Sequence, residues 1–220
     1  MTSLRERRAP GFSLGAAVWV TALFLLLFNP AHLAGESDQI RAVKEHRASR
    51  IHSWLLARDG RNDTAGDLAR SILRESEKNS LDPVLILAII QVESQFDHKA
   101  ISSQGAEGLM QIRSVVVTEL VEEGKIPAAR HHNLRDPLVN VRVGASYLAH
   151  LIDMFGDLKI ALAAYNWGPT RIRKKLVAKE AIPSQYASKV LRARRALGVQ
   201  LALGTKIVEE RDSSGAVEAG

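Results

Sequence analysis

The chain contains no cysteine. Disulfides, thiolate metal centres and a cysteine-borne lipid anchor are thereby excluded, while the compartment stays open. Aromatic residues are scarce at 5%. Nowhere do basic residues interleave with them in a run, so the composition speaks against a nucleic-acid partner. No internal repeat is visible. The adjacent His131 and His132 have no third ligand at suitable spacing, and neighbours in sequence point different ways on a helix or a strand. They read as exposed loop histidines, and no metal or cofactor is expected.

What is present is a chain of 220 residues, 46% hydrophobic and 25% charged, with a formal net charge of +6. That length suits one domain with appendages. Leu, Ala, Ile and Val dominate the apolar set and favour helices. The basic balance suits an anionic membrane or an acidic polymer.

Arg5, Arg7 and Arg8 precede an uncharged apolar run from about Phe12 to Phe28. A positive flank before such a run marks residues 1–34 as a signal peptide or an N-terminal membrane anchor. The sequence thus predicts an exported protein of the periplasm or cell envelope, touching the membrane only through this segment. Residues 35–63 carry a partial apolar stripe, Ile40, Val43, Ile51, Trp54 and Leu55, and predict a helical spacer broken at Gly60 to Asp63. A helix beginning at Thr64 buries Leu68, Ile72 and Leu73.

The stretch from Asp82 to Phe96 predicts the central helix. Asp82 is suited to cap its first turn, and Pro83 to open it. Every residue from Val84 to Ile90 is apolar, which calls for burial on all sides. The run then meets Glu93. A carboxyl at the C-terminal end of a buried helix is poorly solvated and faces the negative end of the dipole. Both effects keep it protonated near neutral pH, as a general acid requires.

Residues 100–108 are small, polar and glycine-rich and predict a loop, with Gly105 and Gly108 permitting close backbone approach. A short helix is expected from Val115 to Glu123. Asp136-Pro137 repeats the cap-and-proline start, and apolar residues at helical spacing run to Phe155 before Gly156. Asp157 opens a helix ending at Tyr165, Asn166 and Trp167 before Gly168-Pro169. Arg171, Arg173, Lys174 and Lys175 predict a solvated basic face. A last helix is expected from Ser184 to Leu197, and residues 199–220 read as a disordered tail.

Four segments, in this order, resemble the soluble lytic transglycosylase (SLT) domain of bacterial cell-wall enzymes. They are Glu93-Ser94-Gln95-Phe96; Ser102 through Gly105-Ala106 to Gly108-Leu109-Met110-Gln111; Asp136-Pro137 with Asn140 and Gly144 to Leu148; and Ala163-Ala164-Tyr165-Asn166 with Gly168-Pro169. The resemblance implies a mainly α, lysozyme-like domain over residues 64–198 with a glycan cleft. It also implies cleavage of the β-1,4 bond between N-acetylmuramic acid and N-acetylglucosamine in peptidoglycan, closing a 1,6-anhydro ring without consuming water. By this likeness Glu93 is the catalytic acid and then the base. Ser94 orients it, Met110 and Gln111 line the cleft, Tyr165 and Asn166 lie near the carboxyl, and Tyr186 faces it from across the cleft.

The chain departs from the pattern at His98, Arg113-Ser114, Trp167 and Ser184-Gln185. These changes bear on substrate fit rather than on the acid. Asp97, four residues after Glu93, is expected to cap the helix end or face solvent, not to serve as a second acid. Two other readings stand beside the first. One is a muramidase that adds water. The other is a weakly active module that opens the wall for a secretion or conjugation apparatus.

Overall fold

Asp82 accepts a hydrogen bond from the Val84 amide at 3.0 Å, and Pro83 follows as the first helical residue. The expected central helix forms as Pro83–Glu93, and Leu85 to Ile90 are all buried. In the computed structural model, which describes residues 30–59, 62–127 and 133–215, this segment is one of eight helices. They are α1 (Pro30–Asp59), α2 (Asn62–Lys78), α3 (Pro83–Glu93), α4 (Ser114–Glu122), α5 (Pro137–Phe155), α6 (Leu158–Trp167), α7 (Pro169–Val177) and α8 (Gln185–Gly215). The apolar run from Phe12 to Phe28, the break at Gly60-Arg61 and the His131-His132 pair lie outside the described residues. Among the described residues no helix is long and apolar enough to cross a membrane.

The chain divides into two units, residues 1–47 and 48–220. In the first, the described stretch is helical, with an exposed Arg41–Glu45 pair one turn apart. The second holds the core. Residues 48–59 of α1 belong to it, and there Ile51, Trp54 and Leu55 lie on one helical face. Ile51 and Leu55 are buried, and the Trp54 indole donates to Gln200 on α8.

Helix α3 runs antiparallel to α8, tied at both ends. Asp82 pairs with Arg194, and Glu93 accepts a hydrogen bond from Tyr186, eight residues earlier on α8. Beyond the expected end at Leu197, α8 continues to Gly215. Leu201 extends the stripe of Val190 and Leu197 and is buried. Helices α5 and α6 begin as expected, with Asp136 and Asp157 accepting from first-turn amides. Gly156 closes α5 at φ 68°, where a residue with a Cβ would be strained. Glu75 on α2 is buried, with Arg74 and Arg142 of α5 at 3.4 and 3.6 Å. Nothing in the sequence pattern pointed to it. Among the described residues there is no strand; residues 101–112 form two isolated antiparallel bridges, Ile101 with Glu107 and Glu107 with Ile112.

Candidate active site

The loop after α3 owes its shape to one buried side chain of α5. Asn140 is fully buried and makes three hydrogen bonds: its Oδ1 accepts from the Met110 amide at 2.7 Å, and its Nδ2 donates to the Glu107 and Leu134 carbonyls at 2.8 Å. Gly108 has φ +77°, and a Cβ there would lie 2.4 Å from the Asn140 amide nitrogen, so only glycine fits. One helical turn after Asn140, Gly144 leaves room for Met110, whose Sδ would be 2.5 Å from an added Cβ. The expected close approach thus occurs at Gly108. Gly105, with φ +74° and nothing within 4 Å of a Cβ, only shapes a turn.

Glu93 ends α3, half-buried, and its Oε1 accepts from the Tyr186 hydroxyl at 2.5 Å. Burial raises its pKa above the ordinary carboxyl value, and the Tyr186 hydrogen bond works against that rise. The Tyr186 ring stacks on Tyr165, centroids 6.3 Å apart and planes within 7°, and Tyr165 in turn packs on Tyr147. Burial holds the Tyr165 and Tyr186 hydroxyls well above their usual pKa, with the Glu93 charge next in effect. Both therefore stay neutral donors. Tyr165 donates to the Met110 carbonyl at 2.8 Å, so Met110 is gripped through its backbone from two helices.

Neither Met110 nor Ser94 presents its side chain to a cleft. The Met110 side chain is fully buried against Gly144 instead of lining the cleft, because α5 offers it a pocket there. Ser94 is buried, and its hydroxyl bonds the Leu109 carbonyl at 2.8 Å and the Ile90 carbonyl at 3.2 Å. It joins the helix end to the loop from behind and offers no surface to a sugar. Asp97 is exposed and accepts from the Lys99 amide, closing a turn. Gln111 has φ +50° and donates to the Ala100 and Gly108 carbonyls, which holds its side chain across the loop.

A groove of about 700 Å³ runs from this loop to the end of α6. Gln111, Tyr147, Tyr165, Asn166 and Trp167 border it, so the structure brings Gln111 together with the Tyr165-Asn166 pair. A second cavity of about 460 Å³, bordered by Leu55, Leu68 and Phe96, contains neither Glu93 nor the tyrosine pair. Sequence reasoning assigned no role to Asn140 or Tyr147. Their signal was positional: Asn140, Gly144 and Tyr147 lie at i, i+4 and i+7 on one face of α5. An amide, a glycine and a phenol there mark a face built to receive a loop. Among the described residues no three His, Asp or Glu side chains converge as a metal site.

A helical frame carrying one shielded acid at a helix end, a loop pinned beside it and a groove leading away is a mainly α, lysozyme-like fold. The Transglycosylase SLT domain family matches residues 70–186, just over half of the chain, and the chain belongs to that family. It is 40% identical over 89 residues to the soluble lytic murein transglycosylase of Escherichia coli strain K12, covering 40% of this chain and 14% of that protein. It is 35% identical over 142 residues to the membrane-bound lytic murein transglycosylase C of Edwardsiella ictaluri, covering 60% and 36%. The crystal structure of an inactive mutant of the lytic transglycosylase Slt from Pseudomonas aeruginosa superposes with a TM-score of 0.53 at 31% identity, over 60% of this chain and 24% of that one. The chain thus spans a minor part of the length of these relatives.

Proposed function

We propose that the protein is a lytic transglycosylase of the cell envelope, cleaving the β-1,4 bond between N-acetylmuramic acid and N-acetylglucosamine in peptidoglycan and leaving a 1,6-anhydromuramic end. The observation that carries this reading is Glu93, a half-buried carboxyl of raised pKa with a neutral phenol, Tyr186, donating to one oxygen. Tyr186 occupies Oε1, so Oε2 carries the proton to the glycosidic oxygen as the C1–O bond breaks. The carboxylate left behind then takes the proton of the C6 hydroxyl while O6 bonds to C1. The proton returns to Glu93, and no water enters. One group must therefore be neutral first and charged second, and a pKa lifted by burial but restrained by Tyr186 suits both roles. The names of the relatives support the substrate class, and the membrane-bound relative supports an envelope location.

Glu119 favours a second reading, a muramidase that adds water, because it is a carboxylate that borders the groove beside Tyr147. Mass analysis of digested sacculi separates the two. Anhydro ends, one water lighter than the hydrolysed product, are expected from the parent and from Glu119→Gln. Glu93→Gln should lose roughly 10³-fold or more of the activity, the scale of removing an essential acid–base group. Reducing-end products that vanish in Glu119→Gln would establish the hydrolase instead.

A further inference from the structure

The four basic residues of α7 do not form one solvated face. Arg173 reaches Met154 on α5, its Nη2 3.0 Å from the sulfur, and Lys175 pairs with Glu180 at 2.7 Å. Arg171 and Lys174, three residues apart, instead share the side that borders the groove, where Arg113 joins them from the start of α4. The Arg171 guanidinium lies over the Trp167 ring, 4.4 Å from its centroid, and Trp167 is 41% exposed. Among the residues bordering the groove one is acidic, Glu119, and its field meets that of Arg113 at Tyr147. The wall is therefore positive beyond what Glu119 offsets, and two of its members, Arg113 and Trp167, are departures from the family pattern.

A chain of neutral sugars has no use for such a wall. The muramyl residue differs from its neighbour by a lactyl group. On bare glycan this group ends in a carboxylate; otherwise it leads into a stem peptide whose residues carry carboxylates. Building on the proposed function, we infer that this side of the groove recognises a carboxylate borne by a muramyl residue. Arg171 and Lys174 are its donors, Arg113 adds its field, and Trp167 holds the Arg171 plane in place by a cation–π contact. An arginine pre-set on an aromatic face loses less freedom on binding than a free side chain, which favours recognition over mere attraction.

The test compares four substrates: bare glycan strands, strands bearing stem peptides, and each after amidation of its carboxylates. With the parent, kcat/KM is expected to fall about tenfold on amidation of whichever form supplies the contact, mostly through KM. In Arg171→Gln/Lys174→Gln this discrimination disappears and the salt dependence flattens. Loss confined to bare strands identifies the lactyl carboxylate, and loss confined to peptide-bearing strands the stem. Equal loss on amidated and unamidated strands, or discrimination unchanged in the double variant, overturns the inference. Calorimetric binding of the same strands to Glu93→Gln protein reads the contact without turnover. If that protein still cleaves glycan, the acid assignment fails while the binding comparison stands.

Discussion

Glu93 and Tyr186 are 93 residues apart in sequence, yet share a 2.5 Å hydrogen bond. Desolvation lifts the Glu93 pKa and the phenol lowers it, desolvation being the larger effect. Glu93 must begin protonated, so activity is expected to fall as pH rises through its folded pKa. Tyr186→Phe removes the one contact that favours the carboxylate. The alkaline limb of the kcat/KM profile should move to higher pH, and kcat at the optimum should fall about 10- to 100-fold as the base step weakens. A limb that stays in place, measured on soluble glycan strands, would show that Tyr186 does not tune Glu93. At this scale the acid itself was legible, because an unbroken apolar helix running into a carboxylate is a local pattern. Ser94 and Met110 were not legible as they stand. The direction of each side chain is set by a partner well away in sequence, the Leu109 carbonyl and Gly144 respectively.

Helix α5 works as a jig for the active-site loop. Asn140 holds the loop by two backbone groups and ties it to the Leu134 carbonyl ahead of α5, and Gly144 admits the methionine that the same loop carries. Gly144→Ala sets two effects against each other. Alanine in a helix interior gains about 1 kcal/mol over glycine. The new Cβ would stand 2.5 to 2.9 Å from three Met110 atoms, including its Cβ, which cannot swing aside. Overpacking of this kind costs about 1–3 kcal/mol, so the net is expected to be destabilising. Thermal melting checks the sign. Activity should fall further than stability alone explains, since a displaced Met110 carbonyl loosens its hold on Tyr165. Caps and starts were readable along the chain, and α3, α5 and α6 begin where Asp82, Asp136 and Asp157 place them. The run of α8 past Leu197 was not, because its next turn is stabilised by packing of Leu201 and by an Arg50 bond to the Leu201 carbonyl, 151 residues away.

For the folded unit as a whole, the ionised form of Glu93 is a stability cost. Its folded pKa is raised above the unfolded value. Its favourable contribution is therefore present below the unfolded pKa and is lost as pH rises through the folded one. Glu93→Gln keeps an acceptor for Tyr186 and cannot ionise, so it should melt at higher temperature than the parent near pH 7. The two curves should converge below about pH 4, where the parent carboxyl is protonated in both states. A variant that melts below the parent at neutral pH would mean that the ionised carboxylate is stabilised by contacts not seen here. The sequence by itself determined the helical class, the capped central helix, the acid at its end and the order of the four segments. These rest on local periodicity, capping chemistry and backbone permissiveness, which need no distant partner. Only the tertiary structure decided which polar groups face the groove and which are spent on the scaffold. The same hydroxyl, thioether or guanidinium can point either way until the helix opposite supplies a carbonyl, a missing Cβ or an aromatic face. Glu93 was therefore visible from the chain alone, while the tyrosine pair beside it and the basic wall of the groove emerged only once α5, α6, α7 and α8 had packed together.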